Sequence, residues 1–254
     1  MAELRVGVIG ANGRMGRAVC DAVTAADDLV LVAAVDTVGG QVCGLEITRE
    51  LQTLVTAGCD VAVDFTIAEA ARVTLPFLAM HGIHAVVGTT GLTDDDMTLI
   101  ADAFASSTAN CVVAANFAIS AVLMMRFAAM AAPHFDTAEI IELHHDAKVD
   151  APSGTALATA QVMHPRESGW SPDPTTQEHV AGARGGAGPN GVRMHSVRMR
   201  GMIAHQEVIL GAEGQSLTIR QDSYDRTSFM PGVLLACRRV SEFPGLTVGL
   251  DALL

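Results

Sequence analysis

The sequence predicts an α/β chain in which a doubly wound parallel sheet is followed by a second α+β unit with a mixed or antiparallel sheet. Three observations carry this. Short apolar runs alternate with helical patterns up to residue 115. A glycine cluster separates the first run from the first helical pattern. Beyond residue 137 the alternation gives way to closely spaced strand patterns broken by glycine turns. Strand–helix alternation builds parallel sheets because a parallel neighbour is reached only through a long crossover, usually a helix.

In chain order, residues 4–9 are an apolar run rich in β-branched side chains, and a helical pattern covers about 13–26. Residues 29–35 form a second strand that ends at Asp36. Residues 60–65 are a third strand, 67–80 an amphipathic helix interrupted by Pro76, and 83–88 a fourth strand. Thr93 caps the next helix. Its first turn carries Asp94, Asp95 and Asp96, favourable at the positive end of a helix dipole. Residues 110–115 are a fifth strand, 138–145 a sixth, and 154–163 a helix. Residues 165–188, rich in Pro, Gly, Ser and Thr, read as a long loop. Residues 192–200, 204–210 and 216–222 read as an antiparallel meander with turns at Gly201 and at 211–214. Residues 232–240 are helical again. The domains drawn from this pattern are 1–115 with 222–254, and 116–221.

The chain has 254 residues, half of them hydrophobic, which is enough for one large or two modest cores. Its net charge of -12 favours solubility and argues against binding a phosphate backbone. One Trp and one Tyr make no stacking platform for nucleic acid. An anionic ligand would need a local positive site set against the global field. The first residues, Met-Ala-Glu-Leu-Arg, run into a strand with no basic lead or apolar core behind it. The most apolar stretch, 118–132, is interrupted by Arg126 and is too short to span a bilayer. The cysteines Cys20, Cys43, Cys59, Cys111 and Cys237 are scattered and odd in number. Reduced thiols in a cytoplasmic protein are expected, with no disulfide frame or zinc site.

The glycine cluster reads Gly10-Ala11-Asn12-Gly13-Arg14-Met15-Gly16. It follows a strand and opens a helix. Gly10 permits the tight turn, Gly13 lets the backbone approach a pyrophosphate, and Gly16 lets helix and strand pack closely. The helix then presents N–H groups and a positive dipole to the phosphates. Asp36 ends the second strand about twenty residues on, where a carboxylate bonds the adenosine ribose hydroxyls. A bare glycine turn occurs in any α/β protein, but strand, glycines, helix, strand and acid in this order point to a dinucleotide. The cofactor is NADH or NADPH. Asp36 would repel a 2′-phosphate, and Arg14 could reach it and offset the repulsion. Gly88-Thr89-Thr90-Gly91 and Ala114-Ala115-Asn116-Phe117 follow the fourth and fifth strands, at the sheet edge where ligands of doubly wound sheets sit. Either turn alone is ordinary turn chemistry.

Residues 142–156 carry the densest chemistry: Glu142-Leu-His144-His145-Asp146-Ala147-Lys148-Val-Asp-Ala-Pro-Ser153-Gly154-Thr155-Ala. Successive strand residues face opposite ways, so His144 and His145 divide their roles unless the strand ends between them. Lys148 supplies a cation and a proton. Ser153, Gly154 and Thr155 offer backbone and hydroxyl donors at a helix N-terminus, suited to a carboxylate. Singly, such residues are most often structural or solvated. Together, downstream of a dinucleotide loop, they indicate an anion-binding reductive site. No metal is expected, because adjacent histidines diverge and no His-x-x-x-His or Cys-x-x-Cys pair is present.

This stretch resembles the characteristic segment of the dihydrodipicolinate reductases. The Gly-Arg-Met-Gly loop, the 88–91 and 114–117 turns, His205-Gln-Glu207 and Thr227-Ser-Phe-Met-Pro-Gly232 resemble other family motifs in the same order. The resemblance spans nearly the whole chain. It implies reduction of the cyclic hydroxy-tetrahydrodipicolinate, or its dehydrated form, by NADH or NADPH, in a homotetramer built through the second domain's sheet. It implies that His144 is the acid/base residue and Lys148 the proton donor. His145 would contact the small dicarboxylate substrate, with Gly154 and Thr155 binding its carboxylate. Gly10, Gly13, Arg14, Met15, 88–90 and 114–117 would line the cofactor. Two positions depart from the family pattern: Ala147 stands where many members carry another His, and Asp146 where a basic residue or Pro is common. Asp146 would lower the local positive potential.

Two other readings remain. One is another small-molecule dehydrogenase of this fold, such as an aspartate or aspartate-semialdehyde dehydrogenase; the latter needs an activated cysteine. The other is a non-catalytic protein that senses NAD(H).

Overall fold

The structure, a computed structural model, describes residues 3–254. The chain runs β1 (Leu4–Ile9), α1 (Arg14–Thr24), β2 (Leu29–Val35), a small hairpin of β3 (Gly40–Val42) and β4 (Leu45–Thr48), and α2 (Gln52–Thr56). It continues with β5 (Val61–Asp64), α3 (Ala68–Met80), β6 (His84–Val87), α4 (Asp94–Ala105) and β7 (Cys111–Val113). Then come α5 (Ile119–Ala131), β8 (Thr137–His144), α6 (Gly154–Val162), β9 (Gly186–Ala187), β10 (Arg193–Arg198), β11 (Ala204–Ala212) and β12 (Gln215–Ser223). The last elements are α7 (Met230–Arg239) and β13 (Leu246–Val248).

These elements make two compact units: residues up to 119 with 226–254, and residues 120–225. The first holds an eight-stranded sheet in the order β13-β7-β6-β5-β1-β2-β4-β3, parallel throughout except for the β3–β4 hairpin. The strands β1, β5 and β6 are almost wholly apolar because helices cover both faces of such a sheet. Ile9, Ala62, Ala85 and Val87 pack with Leu75 and Leu78 of α3 and with Ile100 and Phe104 of α4. The helix α3 runs on through Pro76. Thr93 caps α4 as a reciprocal box: its hydroxyl accepts from the Asp96 N–H at 3.2 Å, and Asp96 accepts from the Thr93 N–H at 2.9 Å.

The second unit holds a five-stranded sheet in the order β12-β11-β8-β10-β9. This corrects the expected antiparallel meander. Of the three strands expected in it, only β11 and β12 pair as antiparallel neighbours; β10 lies parallel to β8 on its far side, with the short β9 antiparallel at its outer edge. The reason lies in the connection. After β10 the chain crosses the end of β8, where the Met199 N–H donates to the His144 carbonyl at 3.1 Å. It then returns antiparallel along the other edge, so His144 faces Arg198 on one side and Ala204 on the other. One face of the sheet is covered by α5 and α6: Ala138 and Ile140 pack with Met124, Ala128, Ala156, Ala160 and Met163. The 165–188 segment is largely irregular but is tied down. The Trp170 indole donates to the Asn190 carbonyl at 2.9 Å, and Arg184 pairs with Glu139 at 2.8 Å.

Thr93→Ala is expected to lower stability by about 1 kcal/mol, the usual value of such a cap. The check is the urea midpoint at unchanged slope.

Candidate active site

In the first unit the chain turns at Gly10, whose φ of +78° suits glycine. A Cβ on Gly16 would stand 2.0 Å from the Gly10 carbonyl oxygen, so α1 can approach its own entering turn only with glycine there. Gly13 is the N-cap of α1 and supplies no side-chain cap, which leaves the helix's first amides to a ligand. Beside this turn lies a cleft of about 480 Å³, lined among others by Gly10, Gly13, Asp36, Thr37, Arg49 and Thr66. Asp36 closes the loop against β2: its carboxylate accepts from the Asn12 N–H at 2.9 Å and the Val38 N–H at 3.0 Å. Ala11 is buried, while Arg14 is exposed and Met15 half-buried at the helix entrance. A concave floor, an uncapped helix N-terminus and an acid opposite it fit the phosphates and adenosine ribose of a dinucleotide. Sequence reasoning missed Arg49, a cation on the wall shared with Asp36, because it lies outside the glycine pattern.

The other predicted cofactor residues follow β6 and β7 and do not line this cleft. Gly88 leaves room for Phe65, whose ring a Cβ would meet at 2.0 Å. Thr89 is buried and donates to Asp64 at 3.3 Å, while Thr90 is exposed. Asp64, fully buried, also accepts from the Thr66 hydroxyl at 2.6 Å and the Thr74 hydroxyl at 2.5 Å. This carboxylate, also missed, ties the turns after β5 and β6 together. Phe117 is buried against Phe65, ring centres 5.6 Å apart, and its carbonyl packs against Gly232. Ala114 is buried, Ala115 exposed and Asn116 half-buried; the Asn116 side chain accepts from the Ala118 N–H at 2.9 Å.

In the second unit the site is built on β8. Glu142 and His144 are two residues apart on one strand and so share a face. The strand ends at His144, which frees His145 from strict alternation; His145 is exposed on the following turn. His144 Nδ1 lies 2.5 Å from Glu142 Oε2. Arg198 of β10 donates to both Glu142 oxygens, at 2.9 and 2.8 Å, and the Ser153 N–H donates to Oε1 at 3.3 Å. Glu142 is fully buried. Burial alone would push its carboxyl up, but Arg198, Ser196 and His144 together hold it below the ordinary value. Burial lowers His144 in turn, and Glu142 only partly opposes this. Its imidazole is therefore neutral at pH 7, with Nδ1–H on the carboxylate and Nε2 left as acceptor.

The N-terminus of α6 lies just beyond. Ser153 is buried and caps it, accepting from the Ala156 N–H at 3.2 Å, so this residue shapes the site from inside. Gly154 and Thr155 open the helix, and a Cβ on Gly154 would meet nothing within 4 Å. That leaves space at the positive end of the helix for an anion. Lys148 is half-buried, and its Nζ is held by the Asp150 carboxylate at 2.8 and 2.9 Å. Among the chain's 16 lysines and arginines it is the only lysine. Asp146, the departure noted above, pairs with Arg200 at 3.0 Å, which cancels much of its charge. Sequence reasoning missed Arg198 and Arg200 because they arrive from a distant strand.

A nucleophilic role is disfavoured for the four buried cysteines. Burial pushes Cys20, Cys59 and Cys237 up to about 12 and raises Cys111 as well.

His144 should titrate below the ordinary imidazole value of about 6.5. In Glu142→Gln it should titrate lower still, because a stabilising carboxylate is gone. Imidazole carbon shifts followed against pH check both, and an unshifted or raised His144 would contradict the geometry.

Residues 4–117 match the family described as "Dihydrodipicolinate reductase, N-terminus", and residues 120–254 match "Dihydrodipicolinate reductase, C-terminus". The chain is 51% identical over 252 residues to a 4-hydroxy-tetrahydrodipicolinate reductase of Corynebacterium aurimucosum, covering 98% of this chain and 97% of that protein. A protein of the same name from Nocardia farcinica is also 51% identical, covering 99% and 98%. Among solved structures it is similar to a dipicolinate-bound dihydrodipicolinate reductase from Paenisporosarcina sp. TG-14, with TM-score 0.88 and 37% identity over 99% of this chain and all of that one. With both halves matched and the relatives covered almost end to end, this chain belongs to the dihydrodipicolinate reductase family.

Proposed function

We propose that the chain reduces 4-hydroxy-tetrahydrodipicolinate to tetrahydrodipicolinate, in diaminopimelate and lysine biosynthesis, and that residues 142–156 carry the substrate chemistry. As a family member it is an NAD(P)H-dependent oxidoreductase of the Rossmann type. The reading rests above all on one observation: His144 and the α6 N-terminus meet on the buried Glu142 carboxylate, and Arg198 bonds both that carboxylate and the carbonyl of Asp150, whose side chain holds Lys148.

The overall balance is one hydride and one proton added to the substrate, with one water lost. NADH or NADPH, when bound, supplies the hydride. Gly10 to Met15 would hold the pyrophosphate on the α1 N-terminus, with Asp36 and Arg49 at the adenosine end. The turns 88–90 and 114–117 would border the remainder. Gly154 and Thr155 take one carboxylate of the dianion at the α6 N-terminus. Lys148 gives the proton, and the Asp150 carboxylate holds its ammonium in place until then. The single lysine supports this role, since an arginine in its place would hold the charge but not release the proton. His144 acts as base through Nε2 or, once protonated, as acid. Such general acid help is worth about 10²–10⁴-fold in rate.

The test generates substrate in place from pyruvate and aspartate semialdehyde with the preceding synthase and follows loss of NADH or NADPH absorbance. Consumption that needs both proteins is expected, and the two rates give the cofactor preference. Lys148→Arg and Lys148→Ala should both bind cofactor normally and lose most turnover. Near-normal kcat and KM in either would overturn the assignment.

The homotetramer and the cytoplasmic location form part of the same proposal. The sheet face opposite α6 carries half-buried Ile141, Leu143 and Val197, and β12 is a nine-residue edge strand. Among the described residues no helix is long and apolar enough to cross a membrane. Recovery of the native protein from the cytoplasmic fraction at four times the chain mass by light scattering checks both; a monomer would contradict the assembly.

A further inference from the structure

Arg198 does more than neutralise Glu142. Its Nη2 also donates to the main-chain carbonyl of Asp150 at 2.7 Å. The Asp150 carboxylate holds the Lys148 ammonium, and the Glu142 carboxylate holds His144. One guanidinium therefore stands a single residue away from each of the two groups that handle protons. Its side chain is only 18% exposed, so it is set within the unit, not displayed at its surface. The planar fork of arginine can meet two carboxylate oxygens and a carbonyl at once, whereas the compact ammonium of a lysine lacks that rigid, planar geometry.

We propose that Arg198 is a positioning residue for proton delivery, fixing Lys148 through the Asp150 carbonyl and His144 through the Glu142 carboxylate. This rests on the reductase reading above. In the step served, an N–H bond of the Lys148 ammonium breaks as a C–H bond forms on the reduced ring. Lysine is left as the amine and takes its proton back from water. The only electrons transferred to the substrate are the hydride pair. When the 148–150 turn is loosened, the proton step slows, while cofactor binding in the other unit is untouched.

Arg198→Lys and Arg198→Gln test this, read in two ways. In the coupled assay, kcat should fall on the order of 10²-fold. KM should change little, the solvent deuterium isotope effect on kcat should rise, and NADPH binding followed by its fluorescence should stay as in the wild type. Separately, acetylation by acetic anhydride is mapped by mass spectrometry. With one lysine in the chain, the reagent reads Lys148 against the N-terminal amine. That ratio should rise severalfold in both variants, whether or not they turn over. If Arg198→Gln does not fold, Arg198→Lys carries the test by peptide mapping. An unchanged acetylation ratio, or kcat within twofold of wild type, would mean that Arg198 only neutralises Glu142, and the proposal falls while the reductase reading stands. A wild-type protein that consumes no cofactor beside an active synthase overturns both.

Discussion

The buried carboxylate of Glu142 is the constraint on which the second unit depends. It sits on a strand face that otherwise carries Ala138 and Ile140, packed under two helices. Removing a carboxylate from water is penalised by several kcal/mol, and only close, well-aligned partners offset this. The partners come from three places: Arg198 from β10, the Ser153 amide from the start of α6, and His144 from the same strand. Each is held where the ion needs it. The charge therefore fixes the strand pairing of β10, the docking of the α6 N-terminus and the tautomer of His144 together. Taking one partner away would strand the ion, at about 3–5 kcal/mol for a pair of this kind.

The distribution of positive charge follows a matching logic. An acidic chain that binds a dianion needs local cations, and it draws almost all of them from arginine. Arginine suits bidentate, half-buried pairing, as Arg198 on both oxygens of Glu142 shows. The exception, Lys148, is the residue proposed to give up a proton. The 200 side chain answers the acid at 146, so a departure from the family pattern is balanced by a residue on the crossing between β10 and β11.

Much of this was legible in the sequence. The strands β1 and β2 have the bounds their apolar runs predict, and the alternation of strand and helix yields the parallel sheet. The 142–156 stretch is local, so its residues come together simply because a strand, a turn and a helix start follow one another. What escaped is what depends on distance or on a weak period. The helix α5 is apolar nearly all round and shows no amphipathic repeat; its sequence speaks only of burial. The β3–β4 hairpin, α2 and β13 are too short to carry a pattern. Gly201 marks a turn but not which edge of β8 the chain will take, because pairing is chosen by the whole sheet. Arg198 lies 56 residues from Glu142, a separation no spacing rule bridges. Asp64 looks like an ordinary strand-end acid until the threonines around it are placed.

The position of the aromatic residues has a spectroscopic consequence. The single tryptophan, Trp170, and the single tyrosine, Tyr224, both belong to the second unit. The indole is anchored to the Asn190 carbonyl, and the phenol lies edge-on to His205 with ring centres 5.8 Å apart. Intrinsic emission and near-ultraviolet dichroism are thus dominated by reporters of that unit. A melting curve recorded by fluorescence follows the second unit, and the first passes unseen except through phenylalanine. A bound reduced nicotinamide, with its own emission, would supply the missing optical channel, so the two units can be watched at separate wavelengths without any introduced label.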